Sequence, residues 1–388
     1  GAVPLDRGRP PGRPFDMNSF LDEAFELAAR GLGRVSPNPA VGAIVVRDDQ
    51  VIGRGFYTAA GVKHAEVLAL EEAGDRARGA TMYLTLEPHS FQGRTPPCTD
   101  AIVAAGIRKV VCAAEDPNPK VRGRGFAQLR AKNIEVEIAT EYAARANALN
   151  EAFIHFMRAG RPLVTLKAAL TLDGKIAAPD DDASGKSPGW ITSEKARAHV
   201  QSLRHQADAI LTGIGTVLSD DCRMTDRTGQ ERARPLLRIV VDSQLRLPPE
   251  SKMVTTSRGD VLVITTSAGS VERRRRLEAL GIRIEVLDGA DGRVDLHAVP
   301  ALLAREKYLS LMIEAGSKVN WAVLESGTAD KIFFYYAPKI LGGLKSLPVA
   351  GGAGRRRRSE AIQFRDLKLH PIAPDEFAVE AWLAREVY

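Results

Sequence analysis

His64-Ala65-Glu66, followed by Glu87-Pro88-His89-Ser90-Phe91-Gln92-Gly93-Arg94-Thr95-Pro96-Pro97-Cys98, is the stretch whose reading decides the first half of this chain. The hydrophobic period around it switches repeatedly between helix-like and strand-like spacing. A helix is expected from Ser19 to near Gly31, then a hairpin of strands 41–47 and 51–56 across Asp48-Asp49-Gln50. Helices over 64–73, 98–105, 124–131 and 141–157 then alternate with strands over 81–86, 108–113 and 134–138. Such alternation makes an α/β layered sandwich. His64 and Glu66 fall at the head of one helix, Cys98 at the head of another, and His89 just after a strand.

Zinc deaminases use three side-chain ligands, leave a fourth position for a water that the metal acidifies, and give proton transfer to a glutamate outside the ligand set. His64, His89 and Cys98 supply such ligands, and Glu66 such a shuttle. Glu66 comes two positions after His64, so one helical turn can hold metal and base against the same substrate carbon. Alone, an H-A-E triplet is weak, because a histidine at a helix start is more often a cap or a surface residue.

Farther along, Ala159-Gly160-Arg161-Pro162 reads as a linker, with a helix-ending glycine and a proline before the strand Leu163 to Leu170. The domain reading is a tail over 1–16 expected to be disordered, a first α/β domain over 17–158 that carries the candidate zinc site, the linker 159–162, and a second α/β domain over 163–388. In that second half, strands are expected near 163–170, 208–213, 237–242, 260–266, 282–287, 310–314 and 331–337. No G-x-G-x-x-G fingerprint follows a strand; Gly213-Ile214-Gly215-Thr216 lacks the third glycine.

With 388 residues, two domains are the starting expectation. No apolar run approaches the roughly 20 residues that span a bilayer, and the first 16 residues lack a signal-like stretch, so no membrane partner is expected. The three cysteines, Cys98, Cys112 and Cys222, are far apart, which argues for a reducing compartment, the cytoplasm. A net charge of +6 suits phosphorylated metabolites or nucleic acid alike. The arginine runs 273–276 and 355–358 carry no interleaved aromatics and read as solvated faces, so no nucleic acid partner is expected.

Joined, H-A-E and E-P-H-S-F-Q-G-R-T-P-P-C resemble the deaminase domain of the bifunctional riboflavin-biosynthesis deaminase/reductases, whose usual pattern is H-A-E followed by E-P-C-S-H-x-G-R-T-P-P-C. Ser36-Pro37-Asn38-Pro39 matches that family's substrate loop. In the second half LKAALTLDGKIA (166–177), GWIT (189–192), ILTGIGTVLSDD (210–221), RIVVDS (238–243), EAGSKVNWAVLESG (314–327) and YYAPKILGG (335–343) resemble its reductase domain, in the same order. The resemblance implies a cytidine-deaminase-like three-layer domain followed by a dihydrofolate-reductase-like domain. It also implies Zn2+ and NADPH as cofactors, a phosphorylated pyrimidine as substrate, and a homo-oligomer formed through the reductase domain.

By the same resemblance, His64, His89 and Cys98 bind zinc, Glu66 is catalytic, Asn38 holds the pyrimidine and Arg94 the phosphate. Ala169, Trp190, Thr216, Asp220, Ser243 and Gly316, Ser317, Lys318, Val319 and Asn320 line the NADPH site, while Arg204, Met224, Arg227 and Glu314 face the reductase substrate. The implied chemistry is hydrolytic deamination of the pyrimidine, then hydride delivery that turns its ribosyl group into ribityl. The pattern departs at His89, where the family has a cysteine, at Phe91 and Tyr57, where it has histidines, and at Ser187-Pro188, where a serine contact is usual before Trp190. Two rival readings follow: a reductase with a degenerate, structural deaminase domain, and a nucleic-acid deaminase with an RNA-binding second domain.

Overall fold

The computed structural model describes residues 17–59, 63–93, 95–179 and 189–384. The expected tail, Arg94 and Ser187-Pro188 lie outside them. The chain divides into two compact units, one built from the described residues up to Gly31 with Ala40–Asn150, the other from Leu32–Pro39 with the residues from Glu151 onward.

The first unit runs α1 (Met17–Ala29), β1 (Gly42–Arg47), β2 (Gln50–Phe56), α2 (Ala65–Ala73), β3 (Thr81–Leu84), α3 (Cys98–Ala104), β4 (Lys109–Cys112), α4 (Arg124–Ala131), β5 (Glu135–Ile138) and α5 (Ala143–Leu149). Its sheet has the order β2-β1-β3-β4-β5, with β1 antiparallel to both neighbours and β3, β4 and β5 parallel. Alternation along β1 serves both faces. Ala43 and Val45 join a core with Ala65, Ala69, Ile102 and Phe126, while Ile44 and Val46 join another with Phe20, Leu21, Phe25 and Ala146. Three layers result.

Two glycines of β2 fix the height of α2. A β carbon at Gly55 would fall 2.0 Å from the Ala65 carbonyl oxygen, and one at Gly53 2.1 Å from that of Ala69. The helix backbone therefore lies directly on the strand, where no side chain fits.

The helix expected over 141–157 is broken. A short 3-10 turn at Thr140–Tyr142 and α5 end at Asn150, and α6 (Glu151–Ala159) belongs to the second unit. Asn150 is buried, and its amide both accepts from the Ala40 N–H at 2.7 Å and donates to the Ala40 carbonyl at 3.0 Å. A side chain committed to that clamp ends the helix. The division thus falls after Asn150, ahead of the expected linker 159–162. Within that stretch Arg161 makes two hydrogen bonds to buried Asp330, at 2.6 and 2.8 Å, which also accepts from the Val164 N–H.

The second unit continues with β6 (Leu163–Thr171), β7 (Lys175–Ala177), α7 (Glu194–Gln206), β8 (Ala209–Gly213), α8 (Ile214–Asp220), β9 (Leu237–Val241), α9 (Lys252–Thr255), β10 (Val261–Thr265), α10 (Val271–Ala279) and β11 (Arg283–Val286). It ends with α11 (Val299–Arg305), β12 (Ser310–Ile313), α12 (Ser317–Glu325), β13 (Lys331–Ala337), β14 (Leu347–Pro348), β15 (Phe364–Ala373) and β16 (Glu376–Leu383). The main sheet has the order β11-β10-β9-β8-β12-β6-β13-β16-β15, parallel from β11 to β13 and antiparallel beyond. The hairpin β15–β16 and the small β7–β14 ladder were not among the expected strands. Pro371 inside β15 breaks the strand signature there, and β15 tolerates it as the edge strand of the sheet.

Between β6 and β8 the chain leaves a gap that β12 later fills, so the strand order reverses at β8 and β12. In open parallel sheets, ligands bind outside the carboxyl ends of the strands at such a reversal.

Replacing Gly55 with alanine should lower the stability of the first unit by ~1–3 kcal/mol, as overpacking does, while the second unit melts as before. Calorimetry of the full chain, with its two transitions resolved, checks this.

Candidate functional site

In the first unit the start of α2, the turn after β3 and the start of α3 converge. One ligand atom each from His64, His89 and Cys98 lies within 4.8 Å of the others. Cys98 Sγ is 3.4 Å from His64 Nδ1, and Thr95 Oγ1 is 3.4 Å from His64 Nε2. His89 Nδ1 is buried with no hydrogen-bond partner among the described residues. A ligating imidazole needs a nitrogen left free for the metal. Zinc accepts this nitrogen and sulfur donor set.

Burial, and then the charge of His89, push the His64 pKa down to about 4, so the imidazole is neutral at pH 7 as a ligand must be. Burial also lowers the pKa of His89 and raises that of Cys98. Glu66 is buried beside Cys98, and burial raises its carboxyl pKa, which suits a group that must hold and release a proton. Tyr57 and Phe91, at two of the departures from the family pattern, stand edge-on to His64 and His89, with ring centroids at 5.1 and 5.6 Å. Asn38 lies in Leu32–Pro39, the segment grouped with the second unit, where its N–H donates to the Val35 carbonyl.

Sequence reasoning missed Glu87. This buried carboxylate accepts backbone N–H bonds from Asp116 at 3.1 Å and from Gly123 and Gly125 at 3.0 Å. An acidic residue at the end of a buried strand was the available signal.

In the second unit Ala169 lies near the carboxyl end of β6, Thr216 follows β8, and Gly316 to Asn320 follow β12. Thr216 stands in the first turn of α8, and a β carbon at Gly316 would be 3.7 Å from its hydroxyl. Gly316 caps α12, where the Ser317 hydroxyl and Asn320 Oδ1 are buried with no partner among the described residues. Thr212, Asp242 and Thr265, at the ends of β8, β9 and β10, likewise bury an oxygen without such a partner. Buried polar atoms are almost always bonded. Five such atoms, at the ends of neighbouring parallel strands and at the head of α12, are polar positions for which the described residues supply no partner.

Several of the remaining positions have local roles. Ser243 Oγ accepts from the Val294 N–H, and Val319 packs on Gly213. Lys318 and Asp220 are exposed. Trp190 is exposed too, and the Arg197 guanidinium stacks 4.7 Å from its ring centroid.

Glu314, just past β12, receives Arg204 at 2.8 and 3.0 Å and Lys167 at 3.0 Å. Burial raises its pKa, but the two cations outweigh that and hold it at about 2. Lys167 was not among the expected site residues, although it lies two positions before Ala169 and so shares its face of β6. Met224 is buried with φ at 52°, and Arg227 is exposed, its backbone N–H donating to Gln201.

A unit with a His/Cys cluster beside a buried glutamate, joined to a parallel-sheet unit with a reversal in strand order, has the class of a two-activity enzyme, a hydrolase and an oxidoreductase in one chain. The comparisons agree for both halves. Residues 16–114 match the cytidine and deoxycytidylate deaminase zinc-binding region, and residues 162–376 match the RibD C-terminal domain. Riboflavin biosynthesis protein RibD of Bacillus amyloliquefaciens is 37% identical over 92% of this chain and 94% of its own length. The structure of Acinetobacter baumannii RibD superposes with a TM-score of 0.80 at 35% identity, over 95% of this chain and 98% of that one. The Thermotoga maritima diaminohydroxyphosphoribosylaminopyrimidine deaminase/5-amino-6-(5-phosphoribosylamino)uracil reductase gives 0.79 at 34% identity, over 94% and 98%. The chain belongs to the RibD family, the bifunctional deaminase/reductases of riboflavin biosynthesis, with zinc and NADPH as cofactors and a small phosphorylated pyrimidine as substrate. Among the described residues, no helix is long and apolar enough to cross a membrane.

Glu314→Ala should cost the second unit ~3–5 kcal/mol at pH 7, because it leaves two buried cations unpaired. The folded pKa is depressed, so the contribution of Glu314 is complete above the ordinary 4.5 and fades as pH falls toward about 2. Denaturant titrations of both proteins from pH 7 to pH 3 should show their stabilities converging on acidification.

Proposed function

We propose that the first unit hydrolytically deaminates diaminohydroxyphosphoribosylaminopyrimidine and that the second reduces the ribosyl group of the product to ribityl with NADPH. The observation that carries this reading is the convergence of His64, His89 and Cys98 beside buried Glu66, in a chain with a second unit of reductase type. His64, His89 and Cys98 hold zinc. Zinc there supplies the Lewis acidity that makes water nucleophilic at neutral pH. Glu66 takes a proton from the attacking water and passes it to the departing amine, so the C–N bond breaks as the C–O bond forms and ammonia leaves. Asn38 holds the pyrimidine and Arg94 its phosphate.

In the reductase half, Ala169, Trp190, Thr216, Asp220, Ser243 and Gly316 to Asn320 form the NADPH site. Arg204, Met224, Arg227 and Glu314 face the substrate, with Lys167 added on geometry, since it shares the Glu314 carboxylate with Arg204. These residues orient the opened ribosyl C1 toward the nicotinamide and bind its phosphate, while the hydride comes from the cofactor. We place the enzyme in the cytoplasm as a homo-oligomer formed through the reductase domain.

Elemental analysis should give about one zinc per chain by this reading of the ligand set. The double variant His64→Ala with Cys98→Ala should lose it, and retained zinc would show that the ligands lie elsewhere. Glu66→Gln keeps the shape and removes the acid. Deamination, followed by mass analysis of the product, should fall by at least roughly 10²-fold while zinc content and NADPH oxidation stay as in the wild type. An unchanged rate removes Glu66 from the mechanism. A wild-type protein that binds zinc and oxidises NADPH but never deaminates would leave a reductase with a structural first domain.

A further inference from the structure

Two segments of the first unit carry the downstream ligands, Glu87-Pro88-His89 and Cys98-Thr99-Asp100, and both are fastened to the start of α4. Glu87 Oε2 accepts from the Asp116 and Gly123 N–H groups and Oε1 from that of Gly125. At Gly125 the backbone comes so close that a β carbon would fall 2.1 Å from the Pro88 carbonyl oxygen. One turn later Gln128 bridges the other segment. Its Oε1 accepts from the fully buried Thr99 hydroxyl at 3.0 Å, and its Nε2 donates to Asp100 Oδ1 at 2.8 Å. The segments also meet directly, since the Thr99 N–H donates to the His89 carbonyl at 3.3 Å.

We propose that Glu87 and Gln128 are positioning residues of the metal site, setting the His89-to-Cys98 separation from the first two turns of α4. Neither offers a ligand atom to the cluster of His64, His89 and Cys98. The hydrogen-bond chemistry explains why these residue types are used. Both Glu87 oxygens face N–H donors, so a carboxylate with two acceptors fits where an amide would turn its NH2 against one of them. Gln128 must accept on one side and donate on the other, which an amide does and a carboxylate does not. A ligand pair held through two such supports keeps its spacing without metal, so little rearrangement is left for binding. Outer-shell partners of this kind commonly carry 10–100-fold in metal affinity.

The inference rests on His64, His89 and Cys98 being the ligands. The test uses the full chain, with zinc affinity measured by competition against a chromophoric chelator, alongside deaminase kcat and KM, NADPH oxidation and thermal melting. Glu87→Gln should weaken zinc binding by roughly 10-fold or more, and Gln128→Ala by about threefold or more. At saturating zinc both should lower deaminase kcat with little change in KM, and NADPH oxidation should stay at the wild-type rate. Folded variants whose zinc affinity and kcat lie within about twofold of wild type would overturn the proposal. If Glu87→Gln does not fold, Gln128→Ala, at a half-buried position, decides alone. Zinc retained by the His64→Ala, Cys98→Ala protein sinks the ligand assignment itself. Zinc lost there but held normally by the Glu87 and Gln128 variants refutes the positioning role only.

Discussion

A backbone carbonyl cannot sit 2.0 Å from a carbon atom, so α2 can lie on β2 only where the strand carries no β carbon. Gly53 and Gly55 meet that condition on alternate residues, which places both on the strand face under the helix. The position of α2 then sets where His64 and Glu66 stand, because His64 is its capping residue and Glu66 lies in its first turn. The ligand turns after β3 and before α3 close on that fixed point. Geometry in the metal site therefore begins with the absence of two side chains on a neighbouring strand.

The second unit solves a different problem, that of keeping charge inside a sheet-based core. Glu314, Lys167 and Arg204 are each largely buried and share three hydrogen bonds. Two cations against one carboxylate leave the group net positive. This excess lies beside the reversal in strand order, the place where open parallel sheets commonly bind ligands. Thr212, Asp242, Thr265, Ser317 and Asn320 each bury an oxygen with no partner among the described residues, at the ends of neighbouring strands and the head of α12.

Much of this was legible in the chain. The hydrophobic period gave nearly every helix and strand of the first unit and the parallel strands of the second, because burial on one or both faces imposes spacing that a linear reading can detect. The grouping of His64, His89 and Cys98 was legible too, since each stands next to an element whose type the pattern had already fixed. The break at Asn150 was not legible. Nothing near 150 marks a helix end except an asparagine, and its reason is a hydrogen-bonded partner, Ala40, more than a hundred residues away. The division of the chain after Asn150 shares that cause.

By itself the sequence determined the order of elements, the two-unit α/β architecture, the candidate cluster of His64, His89 and Cys98, and the family. Those depend on residue type and short spacing, which the linear chain carries in full. Only the tertiary structure decided that Glu87 spends its charge on backbone N–H groups, that Lys167 joins Arg204 on Glu314, and that Leu32–Pro39 and α6 group with the second unit. Each of these is a pairing between groups distant in sequence. A buried polar group takes whichever partner the fold brings within about 3 Å, and no local pattern encodes which one that is.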